Sequence, residues 1–136
     1  MPMIRVRDAA DLLGVSDDTV RRWIDDGTLP ASRDESGRKV IPGKALAEFA
    51  NTHADTPPKD PVNVASSARN RFVGLVTKVV TDAVMAQVEL QCGPFRVVSL
   101  MSAESVRDLR LEPGSVAVAV VKSTNVIIET EGGQHE

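Results

Sequence analysis

The sequence predicts an α+β protein: a small helical unit at the N-terminus, then a small β-rich unit with one short helix. Three observations carry this. Apolar residues recur at helical spacing up to residue 50, and β-branched runs separated by turn residues take over from residue 72. Between them, residues 51–63 (NTHADTPPKDPVN) hold three prolines and, Val62 apart, no large apolar residue. Such a stretch blocks helix continuation and favours extended chain. With three Phe, one Trp and no Tyr, each core has to be assembled from Val, Leu, Ile and Ala. The expected organisation is residues 1–52 and 65–131 as the two units, 53–64 as a linker and 132–136 as a tail.

Composition excludes several classes. In 136 residues there is room for one ordinary domain or two very small ones. Sixteen basic against nineteen acidic residues give a net charge of −3, with a pI near 5.4. Eight basic and ten acidic residues precede Pro57, and eight and nine follow from it. Neither half can hold nucleic acid by bulk positive charge. Cys92 stands alone, which excludes an intrachain disulfide and a cysteine-based zinc site. No apolar run reaches the roughly 18 residues of a membrane span, and the N-terminus lacks a secretory apolar stretch. A soluble, cytoplasmic protein is expected. His53 and His135 fall in the linker and tail, and no nucleophile has a partnered base, so the reading is not an enzyme.

In the first half, residues 7–14 (RDAADLLG) carry Ala9, Ala10, Leu12 and Leu13 and end on Gly14, a natural helix stop. Arg7 or Asp8 stands where a hydroxyl would cap better. Ser16 is placed to cap a second helix, DDTVRRWIDD, whose Asp17 and Asp18 suit the helix dipole. Val20 and Ile24 share a face of it, and Gly27 ends it. Only residues 14–16 separate the two helices, the tight turn of a helix-turn-helix. Ser36-Gly37 marks a small hairpin, and residues 43–50 (GKALAEFA) read as a third helix. Two alternatives stay open here. Trp23 is either core, the commoner use, or a base-stacking residue. Arg21 and Arg22 either face a ligand or pair with Asp17, Asp18, Asp25 or Asp26.

The second half offers strands at residues 72–80 (FVGLVTKVV), 84–90 (VMAQVEL), 95–100 (FRVVSL), 116–121 (VAVAVV) and 126–128 (VII), with a helix at 102–109 (SAESVRDL). Five short strands and one short helix suggest an OB-like five-stranded β-barrel. Gly74 inside a strand signals a bulge or a close backbone approach. VAVAVV is apolar at every position, as in a strand covered on both faces. A partner subunit is the favoured cover, because so small a barrel buries a modest fraction of its surface; the N-terminal half is the alternative.

Polar residues cluster at three places in this half: Ser66-Ser67-Ala68-Arg69-Asn70, Ser102 to Ser105, and Lys122-Ser123-Thr124. Cations and hydroxyls of this kind suit a small oxyanion; ordinary strand-end and capping chemistry is the bland alternative. Residues 66–131 resemble the Mop domain, the molybdate-binding (molbindin) unit of the TOBE group. The SARN start, the L-x-x-G of Leu111-Glu112-Pro113-Gly114 and the KST-x-V-x-I ending stand in the family's order and spacing. The resemblance implies an OB-like fold that binds molybdate or tungstate at subunit interfaces, in homo-oligomers that are dimers or trimers of dimers. Carried over, the anion-binding residues are Ser67, Arg69, Ser102 (the family usually has Thr), Lys122 and Ser123. Arg69 and Lys122 would balance the dianion while the hydroxyls orient it. SARN and KST would come from different subunits, which links binding to assembly. Two features depart from the family: Gly93-Pro94 stiffens the second hairpin, and a single unit must find its interface on another chain.

Residues 3–50 resemble the excisionase/MerR-like winged helix-turn-helix. The matching pieces are V-x-x-A-A-x-L-L-G-V-S from Val6, the T-V-R-R-W from Thr19, the G-x-L-P from Gly27, and the wing Gly37-Arg38-Lys39-Val40-Ile41. This resemblance implies double-stranded DNA as partner, with the second helix in the major groove and the wing along the backbone. Ser16, Thr19, Arg21 and Arg22 would face DNA, and Arg33, Arg38 and Lys39 would reach phosphates. Asp17, Asp18 and the unit's negative charge weaken such binding, which several copies on one oligomer would restore. Together the two resemblances imply a molybdate-responsive DNA-binding transcriptional regulator. The alternative is an intracellular molybdate storage or homeostasis protein whose helical half serves assembly or docking. An enzyme of molybdenum-cofactor synthesis has no catalytic constellation in its favour.

Overall fold

The chain divides into two units, Met1–Thr56 and Pro57–Glu136, in a computed structural model that describes residues 2–54 and 57–132. Linker residues 55–56 and tail residues 133–136, with His135, lie outside the described residues. Among the described residues, no helix is long and apolar enough to cross a membrane.

In the first unit, β1 (Met3–Arg5), α1 (Val6–Leu13), α2 (Asp17–Asp25), β2 (Ser32–Arg33), β3 (Lys39–Pro42) and α3 (Gly43–His53) follow in order. The i, i+3, i+4, i+7 spacing of Val6, Ala9, Ala10 and Leu13 gives α1 one apolar face. Gly14 stops the helix with φ 69°, and the Val15 N–H reaches back to the Ala10 carbonyl. Arg5 is the N-cap residue of α1 and gives it no side-chain cap. Ser16 caps α2 as expected, its Oγ accepting from the Thr19 N–H at 3.2 Å. Val6, Ala9, Ala10, Val20, Leu29, Ile41, Leu46 and Phe49 form the core. Trp23 packs against that core with its ring 4.8 Å from Phe49, so the core reading holds for it. The hairpin around Ser36-Gly37 is β2–β3, and β1 joins its far side in a three-stranded sheet of order β1-β3-β2.

The second unit contains β4 (Asn70–Thr81), β5 (Met85–Cys92), β6 (Phe95–Ser102), α4 (Ala103–Leu109) and β7 (Val116–Val121). They form one antiparallel sheet of order β6-β5-β4-β7. The strict alternation of Ala86, Val88, Leu90 and Cys92 turns one face of β5 inward. These residues make a core with Val76 and Val106, the latter from α4. β4 serves two partners in succession. Asn70 to Leu75 pair with β7 and Leu75 to Thr81 with β5, and the register slips between Val76 and Lys78.

Two expectations are corrected. The sheet has four strands, not five: residues 126–128 form no strand, because a short 3₁₀ turn at Ser123–Asn125 carries the chain off the end of β7. Ile127 and Ile128 are 84% and 85% exposed. VAVAVV is covered on one face only. Ala117 and Ala119 pack on the core, while Val116 and Val120 lie exposed on the other face, opposite Leu75 and Arg71 in the ladder.

Gly74 is the close approach that its place in a strand suggested. A Cβ there would lie 2.6 Å from both Cys92 Sγ and the Gln91 carbonyl oxygen. Gly74→Ala is expected to destabilise this unit by about 1–3 kcal/mol or more in urea unfolding. Adding Cys92→Ala should return only part of the loss, since the carbonyl stays. Full recovery in the double variant would contradict the backbone clash.

Candidate functional site

The sequence-derived anion residues fall at two separate ends of β4. At its start, Asn70 pairs with Val121 of β7, and the Asn70 side-chain amide donates to the Val121 carbonyl at 3.1 Å. Arg69 and Lys122 flank this pair, so they emerge side by side at one end of the β4–β7 ladder, both exposed. Along the chain, away from the pair, Ser123 follows Lys122 directly and Ser67 lies two residues before Arg69. The Arg69 guanidinium turns back onto its own turn, donating to the Ser67 carbonyl at 3.3 Å. The Ser66 hydroxyl holds the turn by accepting from the Ala68 N–H at 3.1 Å.

Ser102 is elsewhere. It pairs with Met85, next to the Ala86 that faces Thr81 at the far end of β4. Twelve residues of strand separate the two ends, roughly 35 Å of extended chain. Ser102 also has a local task as the cap of α4: its Oγ accepts from the Ser105 N–H at 3.0 Å and donates to the Ser105 hydroxyl at 2.8 Å. The SARN and KST segments, expected from different subunits, thus meet within one chain at Arg69 and Lys122, and Ser102 stays apart.

A cation that sequence reading passed over joins the first group. Arg71 Nε donates to Asp60 Oδ2 at 2.8 Å, tying the Pro-rich segment to the start of β4. The Arg71 side chain and the Val62 N–H together hold the Asp60 carboxyl below the usual carboxylate range. Only the alternation of Arg69 and Arg71 about Asn70 hinted at this.

In the first unit, a cleft of about 700 Å³ lies between α1, α2 and the wing. Arg5, Arg7, Arg21, Arg33, Arg38 and Lys39 line it, six of the eight cations before Pro57; of the nine acids among the described residues there, only Asp8 and Asp17 do. Four of these cations are among the predicted DNA contacts; Arg5 and Arg7 are new. Ser16, Thr19 and Arg22 do not line the cleft. Ser16 and Thr19 hydrogen-bond each other at 3.0 Å, and Arg22 is one helical step, about 100°, from Arg21. The wing turn is built on Asp34, whose carboxylate accepts from the Ser36 and Arg38 N–H groups at 2.9 Å. The Arg38 N–H is the main cause that lowers the Asp34 pKa.

Comparison with known proteins fits this division. Residues 3–54 match the helix-turn-helix domain family and residues 66–128 the TOBE domain family. Molybdenum-pterin-binding protein 3 of Clostridium pasteurianum is 41% identical over 63 residues, which are 46% of this chain and 93% of that protein. The chain belongs to the TOBE-domain family. The chain also matches the molybdenum transport protein ModE of Herbaspirillum seropedicae, 32% identical over 71 residues, 52% of this chain and 26% of that one. The chain thus spans about a quarter of that relative's length. A solved molybdate-binding protein from Sporomusa ovata is 30% identical, with a TM-score of 0.48 over 49% of this chain and all of its own.

Two expected outcomes follow. Ser16→Ala should cost the helix-turn-helix unit about 1 kcal/mol in urea unfolding, and Ser16→Asp should keep most of that. Because the Asp60 pKa is lowered by folding, its pair with Arg71 is intact above about pH 4, near the unfolded carboxylate value, and is lost as pH falls through the lower folded value. The Arg71 Nε resonance should hold still from pH 8 to 5 and shift only in stronger acid. A shift near neutrality would contradict the pairing.

Proposed function

We propose that this chain is a molybdate-responsive DNA-binding regulator, active as a homo-oligomer in the cytoplasm, where its DNA lies. The observation that carries the anion half is the Asn70–Val121 pair, which sets Arg69 beside Lys122. Two cations match the two charges of molybdate or tungstate, and Ser67 and Ser123 supply O–H donors next to them. Ser102, at the opposite end of β4, would reach such a group only from a second copy. Its hydroxyl can keep accepting from Ser105 while turning its proton to the anion.

The sheet supports assembly. Among the described residues no strand pairs with the outer edges of β6 and β7, and Leu75, Val80, Val98, Leu100, Val116 and Val120 leave apolar surface exposed. The unpaired run at 126–128 has the composition to add a strand to another copy. The names of two relatives support molybdenum as the element handled: one is named for molybdenum transport and one for molybdenum-pterin binding. The helix-turn-helix unit supplies the DNA-binding half through its cation-lined cleft. The storage reading rested on the acidity of this half, and seven of the nine acids among its described residues lie outside the cleft. A site completed between copies couples anion to DNA if the arrangement of copies that binds molybdate also binds DNA more tightly, since a ligand shifts an equilibrium only by its differential affinity.

Light scattering combined with molybdenum content should show oligomers carrying the anion. Replacing Arg69 and Lys122 by Gln should weaken molybdate uptake by about tenfold or more, as expected for loss of charge-assisted hydrogen bonds. Mobility shifts on DNA upstream of the chain's own gene should change with molybdate. Undiminished uptake in the variant would overturn the site, and absence of DNA binding in both states would overturn regulation.

A further inference from the structure

We propose that Arg5 and Arg7 form a phosphodiester seat for duplex DNA at the entrance to α1, beyond the contacts expected from the second helix and wing. The proposal rests on the DNA-binding reading of the first unit and names contacts within it. Three of the cleft's cations are already engaged by carboxylates. Arg21 pairs with Asp18 at 3.6 Å, Arg38 with Asp34 at 3.5 Å and Lys39 with Asp25 at 3.5 Å. Each must loosen an existing pair to hold a phosphate. Arg5 and Arg7 make no ion pair among the described residues, and both are exposed.

Their backbone is fixed. Val6 between them is 7% exposed and belongs to the core, so the chain presents the two arginines from either side of a buried anchor. Arg5 ends β1 and pairs in register with Val40, the neighbour of Lys39 in the wing strand. Arg7 stands in the first turn of α1. The seat thus adjoins the wing on one side and the helix-turn-helix on the other.

The same lining selects the ligand. Asp8 and Asp17 interrupt the cations, so a compact polyphosphate would bring its charge against carboxylates. A nucleic-acid backbone carries one charge per nucleotide and distributes it along the strand, which suits separated arginines. Phosphate contacts of this kind fix orientation and carry no sequence information.

The test is the salt dependence of binding to a short labelled duplex, read by fluorescence anisotropy from about 50 to 200 mM salt. Operator sequence is not needed, because every duplex offers phosphates. Arg5→Gln with Arg7→Gln should flatten the slope of log K against log salt by about two, and each single change by about one. Affinity for two duplexes of unrelated sequence should fall alike. Arg5→Lys with Arg7→Lys should keep the slope, while Lys44→Gln, outside the cleft, should leave it unchanged. If the parent binds duplex and the Gln variants, folded by circular dichroism, keep its slope, the seat is wrong and the DNA reading stands. A loss confined to one sequence would also overturn the seat, because it would mean base contact. A parent that binds no duplex overturns both.

Discussion

The second unit depends on one strand being shared. β4 gives its first half to β7 and its second half to β5, and the handover occurs at Gly74 and Leu75. There β5 comes so close that only a glycine fits, with the buried Cys92 thiol and the Gln91 carbonyl where a side chain would begin. The slip after Val76 then turns the remaining residues to new partners. This arrangement brings the SARN and KST segments together and sends Ser102 to the other end. The distribution of the anion-binding candidates is a consequence of strand sharing.

The first unit meets a different constraint. Its net charge is negative, yet its cations are gathered on one cleft and its acids lie mostly elsewhere. Segregation of charge, more than its sum, decides what a surface attracts at short range, because solvent and salt screen distant charges within about 10 Å. Three acids of this unit also act locally. Asp34 builds the wing turn, Asp18 pairs with Arg21 and Asp25 pairs with Lys39.

What was legible in the sequence is local. Gly14 stops α1, Ser16 caps α2, Ser36-Gly37 turns the hairpin and Ser102 caps α4, each through contacts within a few residues. The β-branched run at 84–90 announced β5. What was not legible depends on partners distant in sequence. β1 is three residues long, too short for any period, and exists because β3 lies beside it. Residues 126–128 have strand composition without a strand to pair with, since propensity describes fit to a sheet and not the presence of one. The candidate site followed the same rule. Its residue types were readable from the SARN and KST runs, but the distance of Ser102 from them is set by register along β4. Arg5, Arg7 and Arg71 look like ordinary surface cations until cleft and linker are seen around them.

The bare edges of β6 and β7 give a solitary copy of this chain a cost of its own. Open backbone donors and acceptors beside exposed valines are a template for indiscriminate strand addition, the surface that chaperones hold and that precipitates at high concentration. For the oligomer proposed above, synthesis that outruns encounter between copies would lead to insoluble material. Surface lysines introduced along the β6 edge would improve the solubility of the isolated chain while opposing that proposed association, so yield and assembly would be opposed at the same few positions.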